Sequence, residues 1–258
     1  MHRRLVFEEP VSRAAVWSRR LAWFSLAVLV LTVLGFRMGQ PSIEGLAPIL
    51  GAYVLVGLAF GLSILAFARI WHAGHRGVGI AFQSFVLCLL LLLPAGYAGL
   101  RLATLPSLKD ISTDTEDPPS FSRSRAALDG RGGLVPAELP AASRRVQRQA
   151  YPQVVPIVLE VPAELAFDMA RKAANTLGWQ VLEAVRPGGR VGAGRIEAVA
   201  RTRVLRFADD VTIRIRPRVD GSRIDIRSVS RLGGHDFGAN AARIAAFAAE
   251  IELLNEAR

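Results

Sequence analysis

The stretch VGIAFQSFVLCLLLLLPAGYAGL, residues 78–100, decides the architecture. It contains no Asp, Glu, Lys or Arg and is long enough to cross a hydrocarbon core, which takes roughly 20 apolar residues. Arg101 follows it, and from there to Arg258 the chain is polar and arginine-rich. Two more apolar runs precede it. The break near Leu100 therefore predicts an integral membrane protein: a three-span α-helical anchor followed by one soluble domain.

The second run, residues 46–70, is long enough to span with tilt. The first, residues 21–36, is slightly short, but Arg19, Arg20 and Arg37 can extend it by snorkelling. A cleaved signal peptide fits this run poorly, because the leader carries Glu8 and Glu9 and no small-x-small site follows Phe36. The expected organisation is a tail over 1–20, spans within 21–100, an extended entry segment over 101–150 and an α+β domain over 151–258.

Short-loop charges set the expected orientation. Arg3, Arg4, Arg13, Arg19 and Arg20 lie before the first span, and Arg69 and Arg76 flank the second loop. The first loop has only Arg37. The N-terminus is expected in the cytoplasm of the inner (plasma) membrane and the soluble domain outside, in the periplasm of a Gram-negative bacterium. Gly57 and Gly61 form a small-xxx-small pair suited to close helix approach. Pro94 and Gly96 could kink the third span. Mid-span charges that would mark an ion path are missing, and the lone cysteine, Cys88, reads as a small buried hydrophobe. The spans therefore read as an anchor rather than a transporter.

Residues 102–151 are rich in Pro, Ser, Gly and charge, and read as extended and irregular. From Val154 the periodicity predicts the order β-α-β-β-β-β-α. Strands are expected at 157–161, 179–185, 195–203, 210–219 and 223–230, and helices at 163–177 and 238–255. Pro162 opens the first helix and Gly178 closes it. Asp220–Gly221 reads as a hairpin turn. An antiparallel sheet with both helices on one face satisfies this order.

Strand alternation gathers arginines on one sheet face. Arg214, Arg216 and Arg218 alternate with Val211, Ile213 and Ile215, and Arg223, Asp225 and Arg227 with Ile224 and Ile226. Arg201 and Arg203 are expected to join them, with Glu197 interspersed. Arg201, Arg203, Arg214, Arg216 and Arg227 are thus candidates for binding an anion, because guanidinium suits bidentate oxyanion contacts. Lipid phosphate, lipopolysaccharide, a cell-wall carboxylate or an acidic protein would fit. The competing reading is a solvated face of cross-strand ion pairs. From Leu108 onward the chain carries 23 basic and 19 acidic residues, so the field is local.

Asp236, Asn240 and Arg243 read as a helix cap and a strand-to-helix clamp. Metal sites and cofactors are not expected. His72 and His75 alone rarely hold zinc. Asp110, Asp114, Glu116 and Asp117 lack the spacing of a calcium loop. The glycines of 187–194 form a hairpin turn without the ending of a phosphate loop. No serine or cysteine has a partner base, so an enzyme is not expected.

Several motifs together resemble the bacterial domain of unknown function 1499 family. DISTDTEDPPSF, with Asp114, Asp117 and Pro118, is similar to its entry motif. AYPQVVPI at 150–157 is similar to its first-strand approach. GRIEAVARTRVLRFADDVTIRIRP at 194–217 is similar to its central strands. GSRIDIRSVSRLGGHDFGANAARIAAF at 221–247 is similar to its closing strand and helix. The resemblance implies an envelope location in many members and no activity. The expected function is a non-catalytic envelope interaction module. Its expected partners are the lipid bilayer together with envelope proteins or anionic lipids, and no nucleic acid. A lipid or small-amphiphile carrier is the alternative, with an unrecognised envelope enzyme third.

Overall fold

The computed structural model describes residues 10–39, 42–188 and 192–257. The chain divides into two compact units at Leu100/Arg101. The leader charges Arg3, Arg4, Glu8 and Glu9 and the centre of the 187–194 turn lie outside the described residues.

The first unit is built from α1 (Arg13–Met38), α2 (Ala47–Ala73) and α3 (Val78–Thr104), each long and apolar enough to cross a membrane. Helix α1 exceeds the apolar run 21–36, because Arg13–Arg20 continues the same helix and buries Ala14, Ala15 and Ser18. The helices meet along a stripe of small residues. Ala15 packs with Ala66 and Ala81, and Ala22 with Val56, Ala59 and Cys88. The Ser18 hydroxyl donates to the Ala59 carbonyl at 2.7 Å and meets the Ser84 hydroxyl.

Gly57 and Gly61 do not serve close helix approach. Both are exposed, with nothing near the position a Cβ would take. The contact stripe on α2 is Ala52, Val56, Ala59, Ser63 and Ala66, and a step of one residue turns a side chain about 100° away from it. Helix α3 continues through Pro94. Gly74, in the left-handed conformation at φ 67°, closes α2.

The second unit is an α+β domain. Its order from β2 (Ile157–Leu159) through α6 (Ala163–Thr176), β3 (Gln180–Val185), β4 (Gly194–Arg201), β5 (Ala208–Arg218), β6 (Gly221–Ser230) and α7 (Ala239–Glu256) is the expected β-α-β-β-β-β-α. Residues 101–150, however, are not irregular. They contain β1 (Asp110–Ser112), α4 (Arg125–Arg131) and α5 (Ala141–Ala150). The strands pair antiparallel in the order β1-β6-β5-β4-β3, and β2 shares the outer edge of β6 with β1. The β5–β6 turn is Val219–Asp220, one residue earlier than the expected pair. Gly221 is required beside it, since a Cβ there would lie 2.1 Å from the Leu159 carbonyl oxygen.

One sheet face carries the core. Ile196, Ile213, Ile215, Ile224 and Ile226 are fully buried beneath Phe167 of α6 and Phe247 and Ile251 of α7. Trp179 stacks on Phe247 with ring centroids 5.5 Å apart. Full burial of a side chain of this size contributes about 1.5–3 kcal/mol. This face fixes the sheet rigidly, and the ionic groups lie on its other face and at its ends.

Candidate functional site

On the face opposite α6 and α7, strand register sets Thr212 beside Arg227, Arg214 beside Asp225 and Arg216 beside Arg223. Alternation therefore brings these arginines together as expected. The segment from β1 onward covers them with its own carboxylates. Asp225, fully buried, is paired with Arg214 (3.1 Å), Arg216 (2.7 Å) and Arg223 (2.7 Å). Asp114 takes Arg223 at 2.6 Å and Arg216 at 3.2 Å. Asp117 takes Arg214 at 3.0 Å and Arg216 at 3.1 Å. Arg227 holds Asp110 through two bonds, of 2.9 and 2.7 Å.

Asp114 is also the pivot of the turn that presents these groups. Its Oδ1 accepts the N–H groups of Glu116 and Asp117 at 3.2 and 3.0 Å. Desolvation pushes its carboxyl upward. The Asp117 N–H, the Arg223 guanidinium, the Glu116 N–H and Arg216 outweigh that and hold it below the ordinary carboxylate range. Pro118 follows and is half-buried.

A second clamp was not foreseen. Arg131, at the end of α4, is buried with its Nη1 2.7 Å from Glu197 Oε2 of β4. Glu197 Oε1 accepts the Ser122 N–H and the Thr212 hydroxyl, both at 2.9 Å. Burial pushes the Glu197 carboxyl up, against the Ser122 N–H, the Thr212 hydroxyl and Arg131. On β5, burial likewise pushes Asp209 and Asp210 up, opposed chiefly by Arg243 and Arg231 respectively. Each of these buried carboxylates faces an arginine, so none is an isolated acid.

Asp236, Asn240 and Arg243 form the expected cap and clamp. Asp236 accepts the Gly238 and Asn240 N–H groups at 2.8 and 2.9 Å, from three residues ahead of the first helical residue, with Gly238 at the N-cap position itself. Asn240 accepts from Ser228 at 2.7 Å and donates to the Lys109 carbonyl and Ser230 hydroxyl. Arg243 pairs with Asp209 and donates to Asn240.

Arg201 and Arg203 do not join Arg214 and its neighbours. Arg201 ends β4 opposite Ala208, and Arg203 lies past the strand in the 202–207 turn. With Arg206 and Arg243 they line a recess of about 440 Å³ whose wall includes Trp179 and Gln180 and no Asp or Glu. Arg206 has an exposed side chain on a backbone at φ 60°. Its place in the recess is not visible in the sequence, because it falls between the strands expected at 195–203 and 210–219. The available signal was its place as the third arginine in RTRVLR, residues 201–206.

Among the described residues, no cluster of three or more His, Cys, Asp or Glu could hold a metal. Asp114 and Asp117 face arginines instead. His235 accepts the Phe237 N–H through Nδ1 at 2.8 Å, which leaves Nε2–H to donate to the Leu105 carbonyl at 3.1 Å.

Residues 110–251 match the family described as "Protein of unknown function (DUF1499)". The match starts at β1 and ends in α7, so it takes in both the carboxylate segment and the sheet it covers. Neither a curated protein nor a solved structure matches the chain.

Proposed function

The chain belongs to the DUF1499 family, and from that premise we propose that it is a non-catalytic docking module of the bacterial cell envelope. Helices α1–α3 hold it in the inner membrane with the N-terminus in the cytoplasm and the α+β domain in the periplasm. The arginines flanking the first span and the second loop support this orientation. The observation that carries the docking reading is the recess lined by Arg201, Arg203, Arg206 and Arg243, in which Arg243 is paired with Asp209 while no carboxylate meets Arg201 or Arg206 among the described residues. Arg214, Arg216, Arg223 and Arg227 support a different part of it: engaged by Asp110, Asp114, Asp117 and Asp225, they stiffen the platform that presents the recess.

A carrier would need an apolar cavity between sheet and helices. Phe167, Trp179, Phe247 and the sheet isoleucines pack that space, which disfavours the alternative.

A photo-reactive amino acid at Val204, exposed on the turn, should cross-link to envelope components in intact cells. At Val219, fully exposed at the other end of β5, it should not. Equal yields from the two positions would overturn docking at the recess. An alkaline phosphatase fused after Arg258 should be active, and an inactive fusion would reverse the orientation.

A further inference from the structure

We infer that the arginine recess binds the phosphate of an anionic phospholipid headgroup. This rests on the docking reading above and names its ligand.

The recess is built rather than incidental. The turn that carries Arg203 and Arg206 is closed by three bonds: Thr202 N–H to the Phe207 carbonyl (2.9 Å), Phe207 N–H to the Thr202 hydroxyl (2.9 Å) and Arg206 N–H to the Thr202 carbonyl (3.1 Å). That closure holds Arg206 at φ 60°, a left-handed conformation that glycine would adopt without strain. An arginine kept at a glycine-like position, with no carboxylate partner among the described residues, points to a use for its guanidinium. Among the described residues Arg201 donates only to the Arg206 carbonyl, at 3.4 Å, and its charge meets no acid. Arg201 and Arg206, on the lining of a recess of about 440 Å³, suit a tetrahedral oxyanion, because guanidinium can grip one with paired N–H groups.

One further feature selects a lipid over a free anion. Val204, 60% exposed, sits between Arg203 and Arg206, so the turn offers an apolar tip flanked by cations, the pattern of interfacial segments.

The test uses the full chain in uncharged detergent micelles, titrated calorimetrically with dihexanoyl phosphatidylglycerol, dihexanoyl phosphatidylcholine or inorganic phosphate. Phosphatidylglycerol should bind saturably and about tenfold more tightly than phosphatidylcholine. The double variant Arg201→Ala/Arg206→Gly should lose about tenfold in that affinity while its unfolding temperature is unchanged or higher. Arg218→Ala, a charge loss at the opposite end of β5, should leave binding intact. Equal affinity for the two lipids, wild-type binding by the double variant, or an equal loss in Arg218→Ala would overturn the inference. So would binding of inorganic phosphate alone, which would assign the site to a free anion. If phosphatidylglycerol fails to bind while cross-links from Val204 to proteins persist, this inference falls and the docking reading stands.

Discussion

Arg214 and Arg206 belong to the same strand pair's neighbourhood of one sheet and have opposite environments. Arg214 is 19% exposed and held by Asp114, Asp117 and Asp225. Arg206 is exposed on a strained turn, in a recess where Arg243 pairs with Asp209 and no carboxylate meets Arg206 among the described residues. Residue type therefore does not separate an arginine that meets no carboxylate from a structural one here. What separates them is whether a carboxylate from elsewhere in the chain reaches the guanidinium. The 110–148 segment reaches the sheet face and makes it a clamp.

The comparison can be broken by removing carboxylates. Glu197→Gln leaves Arg131 buried beside a neutral partner and should cost about 3–5 kcal/mol of stability in denaturant unfolding. Unchanged stability would mean that α4 does not clamp the sheet. Asp225→Asn removes the shared partner of three arginines and should cost about 3 kcal/mol. Asn240→Ala, which severs the tie from α7 to Lys109, Ser228 and Ser230, should cost about 2 kcal/mol.

Asp114→Asn sharpens the comparison through pH. The lowered pKa of Asp114 means that its stabilisation is complete above the ordinary carboxylate range and is lost as pH falls through the lowered value. The stability gap between wild type and Asp114→Asn should be constant from pH 7 to about pH 5 and shrink below about pH 4. A gap that grows in acid would contradict the assignment. The smallest effect is expected of Arg206→Gly, which relieves the left-handed backbone and should change stability by no more than about +1 kcal/mol.

Much of the second unit was legible in the sequence because its signals are local. Alternation in 211–218 and 223–230 fixed which residues enter the core, and Pro162 and Gly178 bracketed α6. The entry segment was not legible for a physical reason. Helix α5 has one large apolar residue, Val146, and is anchored by Gln147, which exchanges hydrogen bonds with the Ser112 backbone. Strand β1 is three residues long. Neither leaves a periodic apolar trace. The arginine face was legible as a face, but its neutralisation depends on pairs such as Asp114 with Arg223, 109 residues apart. In the first unit the glycine pair was the more familiar signal, yet the alanine and serine stripe forms the contact.

The division of the arginines can be measured directly by their reactivity toward phenylglyoxal in the folded full chain, read residue by residue by mass spectrometry. Arg206 should be modified readily. Arg131, Arg214 and Arg227 should react only once the protein is unfolded. Modification of Arg214 and Arg227 as fast as Arg206 in the folded chain would show that the carboxylate segment does not close the sheet face, and would contradict the account.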